Sequence, residues 1–357
     1  MLTRYGATRD ELAELLADQP RYRVDQVWDA LWRRRVPLDD ATELPATLRT
    51  RLGDALPLAL SPVVEATSDD ELTTKWLWAT RTGAEVEAVL MRWASRASVC
   101  VSSQAGCAMA CTFCATGQAG FERHLDTPEI IEQVLRAQHA SPQRVTNVVY
   151  MGMGEPLANY DAVRDSIVQI RDRLGISARR ITVSTVGVVP GMRRLATEAL
   201  PVTLAVSLHA PDDVLRRQLV PLTDRYPIAE ILDAAAEVAG AQGRRVTFEY
   251  AAIRGVNDSP AQAEALGRLL GSWPGVGGAH VNLIPLNPTA GFPGQASPRR
   301  HLHEFALRLR AYGVTATVRR TRGAEIDAAC GQLRRRTLTP VEHPASSRME
   351  PCANTSS

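Results

Sequence analysis

Apolar residues recur along this chain at two periods, and the change from one to the other divides it. Near the start, Val24, Val27, Trp28, Leu31 and Trp32 lie three or four residues apart. That spacing predicts one buried face of a helix. Arg33, Arg34 and Arg35 close it, where cations complement the helix dipole. From about residue 85, short β-rich runs alternate with helical stretches. Strands are predicted over 85–91, 98–102, 144–151, 180–185, 202–208, 245–253, 280–285 and 314–318. Helices are predicted over 128–140, 160–174, 228–241, 261–272 and 299–312, the first capped by Thr127 with Pro128 behind it. Strand–helix alternation implies right-handed βαβ units and a parallel sheet. Six such units after residue 114 predict an α/β fold, a partial (β/α)6 barrel with a small N-terminal helical domain. The expected divisions are a helical domain over 1–60, a linker and β extension over 61–97, the barrel over 98–338 and a tail over 339–357. The tail is rich in Pro, Ser, Thr and Asn and reads as disordered.

Composition narrows the class. The 357 residues are 45% hydrophobic and 22% charged, with a net charge of +2. These values exclude a disordered, collagenous or coiled-coil chain as a whole. No apolar run approaches the roughly 20 residues of a membrane helix. The N-terminus is charged where a signal peptide needs an apolar run. The expected location is the cytoplasm. Of 41 basic residues only Lys75 is lysine. A GC-rich genome explains most of that bias, although arginine's planar fork also suits phosphates and bases. Charge is uneven. Residues 1–60 hold nine Arg against ten acidic residues, whereas 299–336 carry ten Arg against Glu304, Glu325 and Asp327. A basic segment of that kind suits phosphate binding, or simply a solvated helix face.

Four of six cysteines fall between Cys100 and Cys114. Cys107, Cys111 and Cys114 form the motif C-A-M-A-C-T-F-C. Three thiolates in so short a loop converge on one soft metal centre and leave a position open for chemistry. A zinc site completed by His124 or Cys100 is the competing reading. The C-x3-C-x2-C spacing with an aromatic before the last cysteine is that of radical S-adenosylmethionine (SAM) enzymes. There a 4Fe–4S cluster binds SAM through its fourth iron, and one-electron reduction releases a 5′-deoxyadenosyl radical. Other polar motifs follow successive predicted strands: Gly154-Glu155-Pro156, Ser184, Ser207-Leu208-His209 and Asn287. Parallel α/β folds bind ligands at these strand ends. Glu155 suits an α-ammonium group.

The run from Cys100 to Gly117 resembles the RlmN/Cfr family of radical-SAM RNA methyl synthases. So do Met151-Gly-Met-Gly-Glu-Pro-Leu, Ser207-Leu-His-Ala, Phe248-Glu-Tyr with Gly255-Val-Asn-Asp, and the stretch from Arg322 to Leu333 around Cys330. The similarity runs from about residue 20 to 335 in family order. Ile326-Asp-Ala-Ala-Cys330-Gly-Gln-Leu points to the RlmN branch, which methylates adenosine C2. The Cfr branch, acting on C8, is the alternative. A noncatalytic iron–sulfur protein and a zinc-stapled RNA-binding module are readings of other classes.

The resemblance implies roles for single residues. Cys107, Cys111 and Cys114 would ligate the cluster. Gly154, Glu155, Ser184, Ser207, Leu208, His209 and Asn287 would contact SAM. Cys330 would carry the methyl group, Cys100 would resolve it, and Glu87 would accept a proton. Read alone, Cys330 is a small apolar residue between Ala329 and Gly331. Glu85 competes with Glu87, two residues away on the same strand face. Cys352 has no motif around it. The implied substrates are the adenosine in the peptidyl-transferase centre of 23S rRNA and the one just 3′ of the tRNA anticodon. The need for a low-potential electron points to a donor of flavodoxin type, and no membrane partner is expected. Two departures stand out: Met91–Arg96 replaces a common Ile-Pro turn, and Val186 replaces a common serine.

Overall fold

The computed structural model describes residues 2–289, 291–319, 323, 326–327 and 332. The N-terminal module holds α1 (Arg9–Leu15), α2 (Tyr22–Trp28) and α3 (Ala46–Ala55). The predicted apolar face spans α2 and a π-helical turn, Asp29–Arg34, that continues it. Arg35 ends the turn in the left-handed region at φ 56°. Leu12, Val27, Leu31, Trp32 and Leu52 fill the module's interior.

The strands join one ten-stranded sheet. Three antiparallel strands, β1 (Leu60–Thr67), β2 (Thr73–Thr80) and β3 (Glu85–Trp93), lead to β4 (Arg96–Cys100). A short hairpin follows, β5 (Gln104–Gly106) and β6 (Phe121–His124), with α4 (Ala115–Gln118) inside it. Next come α5 (Thr127–His139), β7 (Val145–Tyr150), α6 (Tyr160–Leu174), β8 (Ile181–Thr185), α7 (Val189–Thr197) and β9 (Thr203–Ser207). The barrel continues with α8 (Asp213–Leu219), α9 (Ile228–Gln242), β10 (Thr247–Ala252), α10 (Pro260–Gly271), β11 (His280–Pro285), α11 (Arg299–Ala311) and β12 (Thr315–Val318). From β4 through β7 to β12 every neighbour is parallel and in chain order. This is the expected partial barrel, an open parallel sheet with helices on its outer face. Among the described residues no helix is long and apolar enough to cross a membrane.

Two local readings change. The cap of α5 is Asp126, not Thr127: its backbone N–H donates to Glu129 at 2.8 Å, while the Thr127 hydroxyl turns to the Ala162 carbonyl. Strands β1 and β2 were expected only as part of the β extension over 61–97, without bounds, and helices α7 and α8 and the hairpin β5–β6 were not predicted. Pro62 and a register shift interrupt β1, which an edge strand tolerates. Cys330, Cys352 and the predicted tail lie outside the described residues.

Candidate active site

The loop that carries the cysteine motif leaves β5 and is clamped by the hairpin. The Cys107 N–H donates to the Gly120 carbonyl at 2.8 Å. Gly106 sits at φ 77°, and a Cβ there would lie 2.0 Å from the Gly120 oxygen, so only glycine allows the closure. At the far side Thr112 N–H donates to Leu219 O at the end of α8. Phe113, the aromatic of the motif, stands edge-on to His209 at 4.9 Å.

The three motif cysteines open into a cavity at the C-terminal ends of the parallel strands. Its lining includes Gly154, Glu155, Ser184, Ser207, His209 and Asn287. The structure thus brings together the loop after β5 and the ends of β7, β8, β9 and β11. Leu208 is separate: its side chain is buried in the main core, and its carbonyl accepts from Arg216. His124 meets the Gln104 amide at 3.0 Å, and Cys100 packs with Val89 and Met153. Neither candidate for a fourth zinc ligand lines the cavity.

Glu155 is fixed before any ligand arrives. Its carboxylate accepts from Leu157 N at 3.0 Å and Val186 N at 2.8 Å, and its own N–H donates to Gln104 at 2.8 Å. Burial pushes its carboxyl up to about 7, against the pull of those two N–H groups. Val186, at the position of the missing serine, therefore serves through its backbone. His209 is pushed down to about 3, first by burial and then by Arg216, and is neutral. Its Nδ1 accepts from Ala251 N at 3.0 Å, which leaves the other ring nitrogen as a donor.

Three groups had no role in the sequence analysis, although Glu249 stood within the Phe248-Glu-Tyr motif. Arg216 is wholly buried. It donates to the carbonyls of Val186, Ser207 and Leu208 and to the Thr223 hydroxyl, so one side chain ties the ends of β8 and β9. Glu249, on β10, lines the cavity with one carboxylate oxygen on Asn282 at 2.8 Å. Its other oxygen is buried with no hydrogen-bond partner among the described residues. Arg319, just beyond β12, also lines the cavity.

The donor chemistry fits a cationic cluster with a donor-bearing ligand above it. Burial pushes the Cys107 thiol up to about 12 and Cys111 well above its ordinary value. Only a positive centre would hold such groups as thiolates. The orphaned Glu249 oxygen and the preset Glu155 carboxylate call for ammonium or hydroxyl donors.

A second group of candidate residues meets one strand away. Lys75, Val89 and Cys100 lie directly opposite one another across β2, β3 and β4, and Val149 of β7 extends the row. Glu87 is on the same face, buried, with its carboxylate 3.4 Å from Lys75 Nζ. Glu85 is only half-buried. Met151 belongs both to the Cys100 cluster and to the cavity lining, which makes the two groups neighbours. Ile326 packs against the Cys100 cluster, and Gln332 donates to Pro288 O at 3.3 Å. Those two residues flank Cys330 in sequence.

Comparison with known proteins agrees with this geometry. Residues 101–265 match the model of the Radical SAM superfamily. A protein of Parafrankia sp. named "Probable dual-specificity RNA methyltransferase RlmN" is 54% identical, over 88% of this chain and 86% of its own. One of the same name from Saccharopolyspora erythraea is 48% identical, over 92% of this chain and 96% of its own. The crystal structure of a radical SAM methyltransferase from Sphaerobacter thermophilus superposes with a TM-score of 0.86 at 48% identity, covering 94% of this chain and 99% of that one.

Proposed function

This chain belongs to the RlmN family of radical-SAM RNA methyltransferases, and we propose that it methylates C2 of adenosine in 23S rRNA and in tRNA, at the peptidyl-transferase centre and just 3′ of the anticodon. The observation that carries this reading is one juxtaposition. The three-cysteine loop opens onto strand-end polar groups, and the Lys75–Glu87–Cys100 face adjoins them through Met151. The enzyme uses a 4Fe–4S cluster and SAM. When bound, they supply a carbon radical and, from a second SAM, a methyl group.

The residues divide that work. Cys107, Cys111 and Cys114 hold the cluster. Glu155 takes the α-ammonium of SAM, and its two backbone donors keep it in place. Ser184, Ser207 and Asn287 offer hydroxyl and amide groups, and Gly154 lets the backbone come close. Leu208 contributes its backbone, since its side chain is in the core. His209 donates from a neutral ring, and Glu249 accepts with its unpartnered oxygen. Cys330 accepts and carries the methyl group. Glu87 takes the C2 proton. Cys100 then attacks the Cys330 sulfur, which frees the methylated RNA and leaves a transient disulfide. The basic residues of 299–336 hold phosphates of the RNA, whose target base must be unstacked to expose C2. A low-potential donor of flavodoxin type supplies the electron, and the work is done in the cytoplasm.

Mass spectrometry of nucleosides from 23S rRNA and tRNA tests this, with and without the gene and beside a Cys330→Ala version. The expected result is loss of 2-methyladenosine on deletion, unrescued by Cys330→Ala. Loss of 8-methyladenosine would move the protein to the Cfr branch. No change in either nucleoside would overturn the reading.

A further inference from the structure

Arginine occupies every basic position of this chain but one. The exception, Lys75, is 4% exposed. A bias that turns basic residues into arginine leaves lysine where only a compact ammonium on a flexible stem fits. Its Nζ lies 3.4 Å from Glu87 Oε1, and Glu87 is 1% exposed. Nζ also lies 3.5 Å from the carbonyl of Asp327, three residues before Cys330 in sequence. Asp327 turns the chain at φ 51°. The Glu87 backbone is pinned as well, since its carbonyl accepts from Ser102 Oγ at 2.5 Å.

A buried ion pair is a poor device for stability, because desolvation offsets most of the attraction and an apolar pair often serves as well. Lys75 sits in line with Val89 and Cys100, and Glu87 lies two residues along the same face of β3. A buried carboxyl with no cation beside it holds its proton and cannot take another. The ammonium changes that, and its reach to Asp327 couples the carboxylate to the segment that leads to Cys330.

We propose that Lys75 is a positioning residue for methyl transfer: its ammonium keeps Glu87 a carboxylate and holds it against the Asp327 segment, where the C2 proton is released. The inference rests on Glu87 as the proton acceptor. In the step itself the C2–H bond breaks, its electron pair stays with the ring, and an O–H bond forms on Glu87. Lys75 remains an ammonium throughout.

The test uses the cluster-loaded full chain with SAM, a reductant and an RNA transcript that carries the target adenosine. Wild type is set beside Lys75→Met, Lys75→Gln, Glu87→Gln and Lys75→Met/Glu87→Gln. Intact mass reads methylation of Cys330, a denaturing gel reads covalent protein–RNA adduct, and nucleoside analysis reads 2-methyladenosine. Both Lys75 variants should methylate Cys330 at the wild-type rate. They should form 2-methyladenosine at least 50-fold more slowly and accumulate the adduct, the same stall as Glu87→Gln. The double variant should be no slower than Glu87→Gln alone. Turnover within twofold of wild type in either Lys75 variant overturns the proposal. So does a parallel loss of Cys330 methylation, the mark of a purely structural role. Wild type without 2-methyladenosine overturns instead the function on which it rests, and a fully active Glu87→Gln overturns the role of Glu87.

Discussion

Glu155 shows how one buried group sets a pH dependence. Its carboxyl stands at about 7 in the folded protein against an ordinary 4.5. A raised acid of this kind favours the fold below its unfolded value, and that contribution is lost as pH rises through 7. Binding of an ammonium needs the ionised form. SAM affinity of the cluster-loaded protein should therefore fall as pH drops below 7, by up to about tenfold per unit. Calorimetric titration between pH 5.5 and 8 checks this, and Glu155→Gln should bind weakly at every pH. Glu249→Gln should weaken SAM about tenfold, since its amide presents either a donor or a neutral acceptor where a carboxylate oxygen stood. Spectra of the cluster should stay unchanged. Glu155 was legible in sequence because it follows a predicted strand beside two glycines. Glu249 was visible only as the middle of the Phe248-Glu-Tyr motif and without a role, because a carboxylate on a strand does not by itself mark a ligand contact. Its unpartnered oxygen exists only in three dimensions.

Elements meet at the site through contacts that periodicity does not encode. Arg216 faces inward from α8, although a charged residue on a short helix ordinarily points to water. Replacing it with Met strands the carbonyls of Val186, Ser207 and Leu208 at about 1–3 kcal/mol each. Urea unfolding should show a loss of at least about 3 kcal/mol. Gly154 makes a second such contact. It sits at φ 100°, and a Cβ there would lie 2.5 Å from Gln104 Cβ. Gly154→Ala should cost about 3 kcal/mol in the same assay. The parallel strands were legible because each is a short β-branched run between helices. Helix α7 was not, because Pro190 and Gly191 mask its period; Gly191 is there to clear Leu157. Strand β2 was missed because burial along nearly its whole length erases the alternation that marks a strand.

At the scale of the whole molecule, the question is what joins the N-terminal module to the barrel. Arg173, at the end of α6, lies over both Trp28 and Trp32, at 4.7 and 4.6 Å from the ring centres. Arg35 reaches across to the Leu174 carbonyl. On α5, Glu132 accepts from the N–H groups of Ala59 and Leu60, where the module gives way to β1. The apolar face read from Val24 to Trp32 was thus correct as a buried face, but its partner on α6 lies some 140 residues on and no local pattern points to it. A guanidinium between two indoles stabilises by about 1–2 kcal/mol. Arg173→Ala should loosen the docking without unfolding the barrel. Hydrogen exchange should then quicken over residues 22–35 while β7 to β11 stay protected. If the module orients RNA over the cavity, RNA methylation should slow several-fold while SAM binding and methylation of Cys330 hold. Trp28→Leu removes one of the same contacts without removing a charge, so an equal slowing in both variants would assign the loss to docking. Slowing in Arg173→Ala alone would mean that the arginine meets RNA directly.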